Sequence, residues 1–243
     1  MKRTCGVLLL LACLNSPASQ ADACADLDAA VLRGNLVELE ACHQSIDLAG
    51  ASNQAAVYRW AYSGWRVTQR LAPKRKRDRN KLLKELQQGL EAWLDTHPND
   101  AEAWALLGSV LGDRIGGALS AIRLGPKASE ALEKAYELAP QNPRVALQRG
   151  IGFFFTPGAF GGGKDKAELE LRRARALFEA DAANPATVGW GYLDTLARLG
   201  EVLAAVEKYG EARDAYLAAL AIAPEFVWVR DELLPQLPPH ERD

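Results

Sequence analysis

The stretch from Leu196 to Pro224 constrains this chain more than any other. Leu196, Leu199, Gly200 and Leu203 recur at intervals of three and four residues, the period of one helix face. Ala212, Tyr216 and Ala219 mark a second helix in the same way, and Pro224 ends it. Similar spacing returns upstream. Trp104, Leu107, Gly108 and Leu111 are followed by Ala128, Leu132, Ala135 and Pro140; Gly150 and Phe153 are followed by Ala167, Leu171 and Ala174. Trp60 and Gly64 open a further copy that closes at Pro98. The small residues let the two helices of a hairpin approach closely, while the large ones fill the space between hairpins. One such hairpin cannot bury its apolar face alone, so stacked copies must supply the core.

This pattern resembles the tetratricopeptide repeat (TPR) family, whose unit carries W-x2-L-G-x2-Y, then A-x3-F, then a closing Pro. Leu196 takes the Trp place, Leu199-Gly200 the Leu-Gly pair and Leu203 the Tyr place. The resemblance implies an all-α, TPR-like solenoid of antiparallel helical hairpins with a C-terminal capping helix over Glu225 to Leu234. Residues 22–52 read as an N-terminal hairpin cap turning at Gly34-Asn35, and 53–243 as the repeat domain. Two copies carry long inter-helix insertions. The copy from Trp60 is ten residues longer than the one from Leu196 and holds Lys74-Arg75-Lys76-Arg77 at its turn. The copy from Trp104 is eight longer, with the Gly-rich run Asp113 to Lys127 as a loop.

In the family, the first helix of each hairpin lines a concave binding face. That register, carried onto this chain, implies binding positions at Tyr58, Trp65, Thr68, Glu102, Ser109, Arg144, Phe154, Phe155, Asp194 and Glu201. Aromatic residues with one Arg and several acids suit an amphipathic or cationic partner better than an anionic one.

The N-terminus points to export. Lys2 and Arg3 precede the apolar run Thr4 to Leu14 and a small, polar stretch, which reads as a signal peptide over residues 1–21. The run Leu10-Leu11-Ala12-Cys13 offers a second processing route, lipidation at Cys13, which would anchor the protein to a membrane; the basic run Lys74 to Arg77 reads as a solvated loop or as a docking patch for an anionic partner or lipid headgroup. The expected location is periplasmic, with a lipoprotein as the alternative. Loss of the leader leaves 27 Lys and Arg against 31 Asp and Glu, a net charge of −4 that gives no general attraction for nucleic acid. It also leaves two cysteines, Cys24 and Cys42, at the meeting ends of the cap hairpin. An even pair in an oxidising compartment predicts a disulfide.

The loop Gly158 to Lys164 fits G-x-x-x-x-G-K, yet Asp165 stands where a nucleotide site needs Ser or Thr for magnesium. Gly161, Gly162 and Gly163 with Lys164 instead predict either a tight helix crossing packed under Phe160 or an anion site at the next helix start. At least one of these glycines is expected to have positive φ. The string F-x-x-P-x-x-F-G-G-G-x-x-K-A, Phe154 through Ala167, resembles a subset of secreted bacterial TPR proteins. The chain is also loosely similar to the periplasmic TPR component of TRAP-type transporters. His43, His97 and His240 stand at no metal-ligand spacing and read as solvated. No hydrolase motif appears, so no cofactor and no catalytic residue is expected. The sequence reading is a non-catalytic binder of a protein segment or peptide, with periplasmic small-molecule binding linked to solute transport as the alternative.

Overall fold

The computed structural model describes residues 27–48, 53–181 and 190–239. Among them the chain is helical without strands. Helices α1 (Leu27–Arg33) and α2 (Leu36–Ser45) make a short hairpin. Four longer hairpins follow: α3 (Gln54–Arg70) with α4 (Lys76–Thr96), α5 (Ala101–Asp113) with α6 (Ala118–Leu138), α7 (Pro143–Phe155) with α8 (Lys164–Asp181), and α9 (Tyr192–Ala205) with α10 (Tyr209–Ile222).

Capping residues set where the chain enters several helices. Asn35, Asn53, Asp100 and Asn142 each accept from a backbone N–H in the first turn of α2, α3, α5 and α7. Each cap of this kind contributes about 1 kcal/mol. In the last three hairpins a glycine of the first helix sits against one large residue of the second. A Cβ on Gly108 would meet Leu132 at 2.7 Å, one on Gly150 would meet Leu171 at 2.7 Å, and one on Gly200 would strike the Tyr216 ring. Around each contact the alanines are buried: Ala128 and Ala135, Ala167 and Ala174, Ala212 and Ala219. The expected division of small and large positions is thus the packing observed, and the all-α solenoid stands.

The insertions differ from expectation. The basic run forms a 3-10 turn, Pro73–Arg75, and then the first turn of α4. Most of the Gly-rich stretch is helix as well: α6 starts at Ala118 and carries Pro126 inside it. Leu124, Ala128, Ala131, Leu132 and Ala135 are buried along one stripe of α6, and that burial outweighs the helix-breaking residues. The C-terminal cap is not a regular α-helix either. A π-helical segment, Trp228–Leu233, runs into a 3-10 turn, Leu234–Gln236. The wider turn seats Phe226, Val229, Leu233 and Leu237 in the core beneath α10.

The array does not stay open. The α1–α2 hairpin shares one core cluster with α3 to α6, while Leu32 packs into the C-terminal cluster. Trp190 packs against both clusters. Arg70 Nη1 pairs with Glu232 Oε1 at 3.2 Å, and a Cβ on Gly34 would meet Val227 at 3.0 Å. The two ends of the solenoid therefore touch across its inner side.

Candidate functional site

Sequence order places the first helices α3, α5, α7 and α9 side by side on the inner face, and their C-terminal ends surround a cleft of about 740 Å3. Its walls include Trp65, Ser109, Asp113, Phe155, Arg198 and Trp228. Trp65, Thr68, Ser109, Phe155 and Glu201 of the expected binding positions line it. The other positions lie elsewhere. Tyr58 is partly buried, stacked on Trp190 and Tyr62, and Asp194 is buried in an ion pair. Glu102 and Arg144 pair at 3.2 Å beside a smaller hollow near the opposite edge, where the Arg144 guanidinium lies over Trp190. Phe154 is half-buried, edge-on to Phe155, and packs into the C-terminal core.

Charge around the cleft is matched pair by pair. Arg66 holds Asp194 at 3.0 Å, Arg70 holds Glu232, Arg79 lies 3.6 Å from Asp113, and Arg198 holds Glu201 at 2.8 Å. Asp113 also accepts from the Trp65 indole at 2.8 Å, and burial still pushes its carboxyl above the ordinary value. The acids are therefore neutralised within the protein, and the expected preference for a cationic partner does not follow from the geometry. The cleft leaves apolar surface open beside these pairs. Phe155 is 65% exposed at its rim, and Arg198 lies between Phe155 and Trp228, 6.0 and 4.5 Å from their ring centres. Arg66, Arg70, Arg79, Arg198 and Trp228 escaped the sequence reading. Most sit one place off the carried register, and Trp228 lies beyond the last repeat.

The glycine loop packs closely back onto the end of α7. Gly161 and Gly163 have φ of 89° and 122°, as expected of this triplet. Gly162 is buried against the Thr156 carbonyl, and a Cβ there would collide with it. The Gly163 N–H donates to the Phe153 carbonyl at 2.9 Å, tying the loop back onto α7. Phe160 does not cover the loop; it is 80% exposed. Lys164 donates to the Ala205 carbonyl at 2.7 Å instead of projecting toward an anion.

Of the described histidines His43 departs from a solvated reading, while His97 stays exposed. His43 lies under Trp60, its Nδ1 3.0 Å from the Trp60 carbonyl, and His97 stacks on Trp93 with ring centres 3.5 Å apart. His240, the leader with Cys13, and Cys24 lie outside the described residues. Among the described residues no group of His, Cys, Asp and Glu is arranged to hold a metal ion, and no helix is long and apolar enough to cross a membrane.

No protein-family model and no curated protein sequence matches the chain. Solved structures do resemble it. A thermophilic TPR protein from Thermus thermophilus superposes with a TM-score of 0.60 at 18% identity, covering 87% of this chain and 95% of its own. The HusA haemophore from Porphyromonas gingivalis superposes with a TM-score of 0.61 at 22% identity, covering 80% of this chain and 96% of its own. At these identities the likeness speaks for the fold, and the fold of this chain is TPR-like.

Proposed function

We propose that this protein is an exported, non-catalytic scaffold whose inner cleft holds a short amphipathic segment of another protein. The observation that carries this reading is the cleft itself, where exposed Phe155 and the Trp228 ring meet four arginine–carboxylate pairs. An apolar side chain of the guest fits against the rings, and its backbone amides meet charged groups already oriented by their partners. Aromatic and arginine anchors of this kind commonly carry interface energy. The cleft's charged side chains are engaged with one another, which supports binding over proton transfer. Export rests on the leader sequence, and the Cys24–Cys42 staple on the even pair left after the leader and on burial of Cys42.

A second reading has its own support. The ends of the array meet, and about 740 Å3 lies within the range of small-molecule pockets. Periplasmic binding of a small apolar ligand is therefore the alternative; the similarly folded HusA is itself a haemophore. A pull-down from native envelope extract, with mass spectrometry of proteins and small molecules together, separates the two. The scaffold reading expects a protein that is retained by the wild type and lost with Phe155→Ala. A small molecule lost with the same variant would favour the alternative, and no captured species sensitive to it would remove the cleft as the site.

A further inference from the structure

The four inter-helix turns of the long hairpins lie along one edge, because α3, α5, α7 and α9 run in the same direction. Neighbouring turns are tied together. Arg79 at the start of α4 donates to the Asp113 carbonyl at 3.1 Å, and Lys164 at the start of α8 donates to the Ala205 carbonyl. Leu71, Ile115 and Thr156, one from each of the first three turns, line the mouth of the same cleft.

This edge combines two properties that the rest of the surface does not explain. The first two turns of α6 overhang their packing partner. Leu119 is 86% and Ile122 75% exposed, and Ile115 before them is exposed too, while Leu124 is the first residue of the helix to be buried. A spacing of three residues puts Leu119 and Ile122 on one outward face of the helix. Phe160 projects from the next turn. Around them stand Lys74, Lys76, Arg77, Arg114 and Arg123, which make no salt bridge among the described residues. Most acids here are engaged: Arg75 holds Asp78 and Glu40, Arg79 lies beside Asp113 and Arg70 holds Glu232, while Asp165 and Glu207 lie at the far turns.

We infer that this edge is an interfacial surface that docks on an anionic phospholipid bilayer. Cations within a Debye length of the surface attract the anionic headgroups. Leu119, Ile122 and Phe160 then enter the headgroup–acyl boundary, as the apolar face of an interfacial helix does. Exposed aliphatic side chains separate this surface from a nucleic-acid site, which needs cations with stacking or base-edge contacts and gains nothing from Leu119. The docking is independent of what occupies the cleft, whose mouth opens at the same edge.

Deuterium exchange of the full chain tests it locally, so that any affinity of the leader for lipid does not enter. Vesicles of phosphatidylcholine with phosphatidylglycerol should slow exchange about tenfold across residues 114–123, an occupancy of roughly nine-tenths. Residues 139–142 on the opposite edge should be unchanged, and phosphatidylcholine alone should slow neither. Leu119→Asp with Ile122→Asp should remove the protection without altering the circular dichroism, since both side chains are exposed. Arg77→Glu with Arg123→Glu should weaken it in the same direction as added salt. Unchanged exchange at 114–123, or equal slowing by neutral vesicles, would overturn the inference. So would protection by heparin that persists in the Leu119→Asp, Ile122→Asp chain, because it would assign the edge to soluble polyanions.

Discussion

Arg66 on α3 and Asp194 on α9 form an ion pair at 3.0 Å, with both side chains about nine-tenths buried and 128 positions of sequence between them. It joins the first long hairpin to the last, across the inner face. Tyr62 and Trp65 flank the guanidinium, each ring centre 5.9 Å away.

Removing one partner should therefore damage the fold more than removing both. Asp194→Ala strands a buried guanidinium and is expected to cost about 3–5 kcal/mol. The double change Arg66→Met, Asp194→Leu leaves no uncompensated charge and should lie well above the single variant in a urea titration. Equal losses for the two would show that shape, and not charge, governs this contact.

The glycine triplet gives a graded series. Gly162→Ala should cost about 1–3 kcal/mol, because the new methyl meets the Thr156 carbonyl, a backbone atom that cannot swing aside. Gly161→Ala should cost less, about 1 kcal/mol, through its φ of 89° in open space. Gly158→Ala, with nothing near its Cβ position, should be neutral. Thermal melts of the three rank them. The expectation of strain from positive φ holds for the neighbours of Gly162, and its own constraint is a steric one.

Acid should weaken the N-terminal half. Burial under Trp60 lowers the His43 pKa below the ordinary 6.5, only partly offset by the Trp60 carbonyl. The folded state thus favours the neutral ring. Its contribution is complete above pH 6.5 and is lost as pH falls below that value through the lower folded pKa. Stability measured across this range should drop on the acid side, and His43→Gln should flatten that part of the curve. An unchanged slope would mean that another group controls it.

For the cleft, Phe155→Ala is the informative variant. It should weaken binding of the captured partner by about 2 kcal/mol with little change in melting temperature. Trp65→Ala, equally suggested by the repeat register, is not clean. Trp65 is only 3% exposed, and its loss is expected to cost about 3–5 kcal/mol of folding stability. Titrating both variants by calorimetry and by denaturant separates the two effects.

Reducing agent should loosen the α1–α2 end if Cys24 and Cys42 are bridged, by about 2–4 kcal/mol. Thiol counting on the denatured, unreduced protein decides the pairing.

Gly108, Gly150 and Gly200, with Leu132, Leu171 and Tyr216 opposite them, were legible because each contact lies inside one hairpin and repeats at a fixed register. The contacts that shape the cleft repeat nowhere. Arg66 meets Asp194, Arg70 meets Glu232 and Trp190 stacks on Tyr62 only because the array curls back on itself. No local period records that curvature. Asp194 was accordingly placed on an open face when it is buried, and Tyr58 when it is partly buried against Trp190. The overhanging start of α6 was obscured for a different reason. Gly116, Gly117 and Pro126 signal a loop, and the apolar stripe that keeps the segment helical begins only at Leu124.

An unlatched superhelix acts as a spring that widens or tightens around its load. Here Arg70 and Glu232 fasten the two ends, with Val227 lodged beside Gly34. These contacts narrow the range of widths the bore can take, so a guest of the proposed kind would find a host that needs little ordering. Such a latch also couples the first turn of the array to the last. The chain should then lose its structure in one step, where an open array would fray hairpin by hairpin from its ends.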